Sequence, residues 1–152
     1  MVNPLIGVHA ALGELSIIFF LWTLVEIINP TNTRIKRAKI TAFIGLILIL
    51  TSWIIGGYYY TKIYSQDVKP LIKEGPYPWS HNIIMETKEH IFLFLPFLSV
   101  LAATLTFKLK PYEKPNYSLI FLLVIIVLIG LSMAGMGYLI STGARAALEA
   151  KI

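Results

Sequence analysis

Three histidines and a few acids stand out in an otherwise apolar chain: His9, His81 and His90, with Glu14, Glu26, Glu86 and Glu89. Imidazole, carboxylate and thioether are the side chains that hold metals and move protons. The most distinctive run is Trp79-Ser-His-Asn-Ile-Ile-Met-Glu-Thr-Lys-Glu-His90. On an α-helix, residues four apart share a face. His81, Met85 and Glu89 then form one stripe, and Glu86 with His90 forms another. A Glu-x-x-x-His pair suits a divalent metal, and His81 with Met85 suits copper. The plainer alternative is a turn of interfacial helix that shows its charges, Lys88 first, to water. Glu86 is equally a group that orients a metal-bound imidazole, because such a ring usually donates its other N–H to a carboxylate or carbonyl.

His9 and His90 make the second constellation. Histidine inside a membrane span is rare and is a functional hypothesis by default. His9 lies about one turn inside the first apolar stretch, and His90 stands at the mouth of the third. The first and third helices of a four-helix bundle can face each other across the core, where such bundles hold cofactors. Two neutral imidazoles at similar depth suffice for a bis-histidine haem, given room for a flat ring. Gly13 and Met136 are the expected lining of that cofactor, with His9 and His90 as the axial ligands of its iron. The opposing reading is a buried histidine hydrogen-bonded to a carbonyl or carboxylate. Tyr58, Tyr59, Tyr60, Tyr64, Tyr77, Trp79 and Tyr138 fall on the same side, where an aromatic interface belt accounts for most of them.

Composition sets the class. Of 152 residues, 57% are hydrophobic and only 14% charged, and mean hydropathy is +0.74. Soluble domains run at roughly 45–50% apolar and about 25% charged. A soluble fold of this size could not hide so much apolar surface, so the chain is an integral membrane protein. The absence of cysteine excludes disulfides, Cys-ligated zinc, iron–sulfur clusters and thiol catalysis. No Walker A, G-x-S-x-G or H-E-x-x-H motif occurs, and no residue is assigned a catalytic role. The net charge of +5 implies no nucleic acid. Basic residues beside apolar spans set orientation instead.

Four stretches reach the ~20 apolar residues that a span requires: 5–28, 40–60, 91–107 and 118–142. The second is entered by a helix starting near Arg34 with Thr33 as its cap, and the third has a helical lead-in from about Ser80. Thr61–Trp79 reads as a loop with turn chemistry in Lys-Glu-Gly-Pro-Tyr-Pro-Trp. Pro96 should kink the third helix. Gly130, Ala134, Gly135 and Gly137 offer close approach on the fourth. Glu26 should reach Arg34 or Lys36, and Glu14 is free to pair with Arg145. Short connections predict an all-α, up-down-up-down four-transmembrane-helix bundle, one domain over 1–152. Arg34, Lys36, Arg37 and Lys39 crowd the first connection, and Lys108, Lys110 and Lys114 the third. Lys62, Lys69, Lys73, Lys88, Arg145 and Lys151 are spread more thinly on the other side. That density puts the first and third loops in the cytoplasm of a cell-membrane protein and both termini outside.

From Asn3-Pro4-Leu5-Ile6-Gly7-Val8-His9 onward, the chain resembles a broad family of small four-helix bacterial and archaeal membrane proteins. Its members open with a His-Pro…His-Phe-Pro type of helix and carry another histidine at the start of helix three. Pro4, His9 and His90 match that layout. Asn3 replaces the leading histidine, the spacing is one residue longer, and Ala10-Ala11 stands where Phe-Pro would follow. The resemblance implies haem b. The expected function is a small b-type cytochrome-like subunit, carrying electrons within a larger complex rather than acting as a stand-alone enzyme. Its partners would be membrane lipid, other membrane subunits, and a quinone or an extracytoplasmic redox protein. The alternatives are a cofactor-free structural or assembly subunit, and a copper or other divalent-metal site built from His81 and Glu86 with His9 and His90.

Overall fold

The computed structural model describes residues 3–150, in which all regular structure is helical. Helix α1 spans Pro4–Ile27, α2 Asn32–Tyr59, α3 Lys69–Glu74, α4 Glu86–Phe92, α5 Phe94–Lys108 and α6 Tyr117–Glu149. Two π-helical segments, Tyr60–Val68 and Ser80–Met85, lead into α3 and α4. Four rods long and apolar enough to cross a membrane result: Pro4–Ile27, Asn32–Glu74, Ser80–Lys108 and Tyr117–Glu149. Packing runs α1 to α2, α2 to α5, α5 to α6 and α6 back to α1. This is the expected four-helix bundle, with α1 and α5 on the diagonal.

Side-chain chemistry sets the helix starts. Asn3 Oδ1 accepts from Leu5 N–H at 3.0 Å, and Pro4 follows at the first helical position, where its missing N–H costs nothing. Thr31, not Thr33, caps α2 through Arg34 N–H at 3.4 Å. Asn116 Oδ1 caps α6 through Leu119 N–H at 3.0 Å. Pro96 interrupts the hydrogen-bond ladder at Leu93, where the expected kink would fall, while Leu93 keeps helical dihedrals and Ser80–Lys108 stays one rod. The Pro96 ring crowds the carbonyl of Phe92, four residues back, and α4 ends there with Leu93 as the joint to α5.

The stretch expected to be a loop, 61–79, is mostly helix, and only the few residues after Glu74 form a turn before the chain winds up again at Trp79. Tyr64, Ile72 and Ile140 of α6 bury one another in a small core of their own. Burial against α6 outweighs the polar run around Gln66 and Asp67, and Pro70 is tolerated because α3 begins there. Helix α6 likewise continues past residue 142 to Glu149. Gly75 and Gly143 permit this docking. A Cβ on Gly143 would lie 2.0 Å from Ser80 Oγ, and one on Gly75 would lie 2.5 Å from Ala147 Cβ. Lys151 lies outside the described residues.

Between helices the seams are small and polar. Ser16 Oγ donates to Gly45 O at 2.9 Å, and the hydroxyls of Thr23 and Thr41 meet at 2.8 Å. Close approach and shared hydroxyls hold membrane helices that gain little from apolar contact alone. Only 11% of the most apolar window of α1 is buried in the protein, so most of its apolar surface faces lipid.

At the end with the two short loops, Glu26 is buried and fully engaged. Arg34 Nε donates to it at 3.1 Å, Arg37 Nε at 2.7 Å and Trp22 Nε1 at 3.0 Å. The expected Arg34 partner is present, and Arg37 takes the place of Lys36. Glu26→Ala would leave two guanidiniums and an indole without their acceptor. We expect a loss of about 2 kcal/mol, the scale of hydrogen bonds to a charged group. Reversible unfolding in mixed micelles measures it, and an unchanged stability would show the cluster to be inert.

Candidate functional site

Helix α1 begins, and α6 ends, at the opposite end of the bundle. Two cavities open there, of about 280 and 590 Å³. The larger falls within the usual range for small-molecule sites, roughly 300–1,000 Å³, and the smaller lies at its lower edge. They meet along a strip that includes His9, Lys88, Phe92, Gly137, Ser141 and Arg145. The smaller runs inward between α1, α5 and α6 past Gly13, Ile17 and Met133; the larger runs out under Tyr59, Tyr60 and Tyr64.

His9 is half-buried and held from α2. Its Nδ1 lies 2.9 Å from the carbonyl oxygen of Ser52, and Ser52 Oγ donates back to His9 O at 2.8 Å. A carbonyl can only accept, so the proton sits on Nδ1 and donates to Ser52 O. Nε2 therefore presents its lone pair, and no described residue bonds it. The ring lies on Gly56, where a Cβ would stand 2.6 Å from His9 Cε1. A tethered Nδ1–H with a free Nε2 is the arrangement that metal-ligating histidines use.

His90 has the same tether but a different setting. Its Nδ1 donates to Glu86 O, one turn back on its own helix, at 2.6 Å. The side chain is exposed and lines neither cavity. Lys88 and Phe92, four apart, face the cavities, and His90 stands about 200° round the helix from Lys88. The structure thus does not bring His9 and His90 onto one cavity. Gly13 lines the smaller cavity, whereas Met136 packs against the bundle core and lines neither.

His81 is buried at 1% exposure. The α-helical spacing pairs it with Met85, but the π-turn pairs it with Glu86 instead. Glu86 N–H donates to His81 O, five residues back, and Glu86 Oε1 comes to 3.6 Å from His81 Nε2. Tyr64 Oη lies 3.0 Å from Nδ1. Glu86 attracts a proton on Nε2, so the Tyr64 hydroxyl donates to Nδ1. No group of three or more His, Asp or Glu that could hold a metal occurs among the described residues. Glu14 is exposed on the wall of the smaller cavity, and no ion pair joins it to Arg145.

The pairings His9–Ser52 and His81–Tyr64 were not expected from sequence. They join residues 43 and 17 positions apart, and no local pattern carries them. Comparison of the chain with known protein families, with curated proteins and with solved structures finds no match in any of the three.

Proposed function

We propose that this chain is a small b-type cytochrome-like subunit of the cell membrane, with one haem b site in the cavities around His9 near the extracytoplasmic face. One observation carries the reading: the His9 ring is fixed by Ser52 so that an unbonded Nε2 stands where two largely apolar cavities meet. His9 from α1 would hold the iron, and the apolar side chains of Ile6, Ile17, Phe92 and Met133 would keep water from the group. His90 is not part of that set. Bound there, haem b supplies one-electron redox chemistry. A single site at one end cannot by itself bridge a core about 30 Å thick. The subunit therefore passes electrons to or from a quinone or a redox protein within a larger complex. The density of Lys and Arg beside the first and third loops supports placing those loops in the cytoplasm and both termini outside.

The test is an absorption spectrum of the purified protein supplied with haem. A Soret band is expected, lost in His9→Ala and kept in His90→Ala. Absence of the band in the wild type, or its survival without His9, overturns the reading.

A further inference from the structure

Lys88 lies where lysines are seldom found. Lysines at membrane depth normally run their stems along apolar surface and keep the ammonium in water. Lys88 instead crosses from α4 to α6. Its Nζ lies 3.2 Å from the position a Cβ would take on Gly137, so the ammonium rests close against the bare backbone of α6 there. Gly137, Ser141 and Arg145 follow one another at four-residue steps, so they form one stripe up the same face of α6.

All four line both cavities. Lys88 makes no hydrogen bond or ion pair with any described residue. The acids on these walls are Glu14 in the smaller cavity and Asp67 and Glu89 in the larger. None of them forms an ion pair with it. On the strip that the cavities share, the charged residues are Lys88 and Arg145, both cations. Beside them the strip holds the polar His9 and Ser141 and the apolar Ile6 and Phe92. Lys88 is half-buried on this largely apolar wall. Its charge has no carboxylate partner there among the described residues, and an anion from outside the chain supplies one.

We infer that Lys88, with Arg145 beyond it on α6, seats the carboxylate of an amphipathic ligand whose apolar body fills the adjoining cavity. Two sources share that chemistry: a propionate of a haem, and the head of a long-chain fatty acid. The first rests on the function proposed above; the second does not.

The experiment compares acid and ester. Haemin and haemin dimethyl ester are titrated into the purified full chain and followed at the Soret band. An anthroyloxy-labelled stearate and its methyl ester are titrated separately and followed by fluorescence. Lys88→Met keeps the stem and removes the charge, and Lys88→Arg restores charge; circular dichroism and gel filtration check that both variants fold. A hydrogen bond between charged groups, at about 1.5–3 kcal/mol, corresponds to a loss of roughly 10- to 100-fold. The expected result is that loss for the acid in Lys88→Met, no change for its ester, and recovery in Lys88→Arg. Such a result with haemin identifies a propionate. The same result with stearate, in a protein that gives no Soret band, keeps the seat and removes the haem reading. Equal binding of acid and ester by the wild type, or acid binding indifferent to Lys88→Met with both probes, overturns the seat; a Soret band that still depends on His9 would then leave the haem reading intact.

Discussion

Gly56→Ala is expected to weaken haemin binding about 100-fold, although Gly56 itself need not touch the ligand. The added Cβ would stand 2.6 Å from His9 Cε1 and 2.7 Å from His9 Nδ1. Contacts that short do not persist, so either the ring leaves its seat or the helices part. If the ring moves, Nδ1 loses the Ser52 carbonyl and Nε2 loses its place at the meeting of the cavities. Loss of the group that orients a metal-bound histidine typically costs 10- to 100-fold in affinity. Here the ring is also displaced, which argues for the upper end. Gly135→Ala is the control: a Cβ there meets nothing within 4 Å and Gly135 lines neither cavity, so the same change of residue type should leave binding as it was. Haemin titrations of the two variants, side by side, make the measurement. Equal affinities would mean that His9 is not held against α2 as described.

The four spans were legible because composition alone demands them: a ~20-residue apolar run has few other uses. Their ends were less so. Residues 61–74 carry Gln66, Asp67 and Pro70 and look like a loop, yet they are helical because Tyr64 and Ile72 bury themselves against α6. That is tertiary packing, which a local pattern does not contain. The candidate site was legible by residue type and by end. His9 does stand at a cavity, with tyrosines on the same side. Which way each histidine faces was hidden, for a definite reason. The π-turn at Ser80–Met85 shifts the register by one residue, so His81 meets Glu86 rather than Met85. The interruption at Leu93 then separates α4 from α5. Helix order and depth alone pair His90 with His9, and those do not say which way a side chain on α4 faces; Lys88 and Phe92 face the cavities and His90 does not. Lys88 was hidden by its residue type: a lysine in an interfacial turn reads as a solvated charge, but it stands in the cavity wall.

His81→Ala should cost about 3 kcal/mol, and the loss should be local. The imidazole is buried at 1% exposure beneath Tyr64, whose ring it meets at 5.8 Å between centroids. Tyr64 in turn stacks on Tyr60 at 5.5 Å. Removing the ring opens a void and strands a buried phenol O–H. The unpaired hydroxyl alone is worth about 1–3 kcal/mol, and a large-to-small change in a packed site adds a cavity cost of similar size. Tyr64→Phe removes the donor but keeps the volume, so it should cost less, about 1 kcal/mol. The double variant should cost less than the sum, because each change removes the same hydrogen bond. This cluster fastens residues 60–85 to α6 and lies apart from the core around Phe20, Leu123 and Ile126. Local opening should therefore precede global unfolding. In His81→Ala, amide exchange should quicken across Tyr60–Met85 while α1 and the first half of α2 stay protected. Uniform quickening along all four rods would instead make His81 part of the bundle core, and unchanged exchange would leave the Tyr64–His81 bond without energetic weight. A selective opening also bears on the site, because Tyr64 forms part of the wall of the larger cavity. The variant should then loosen that cavity while the Ser52 latch on His9, which belongs to the α1–α2 seam, remains closed.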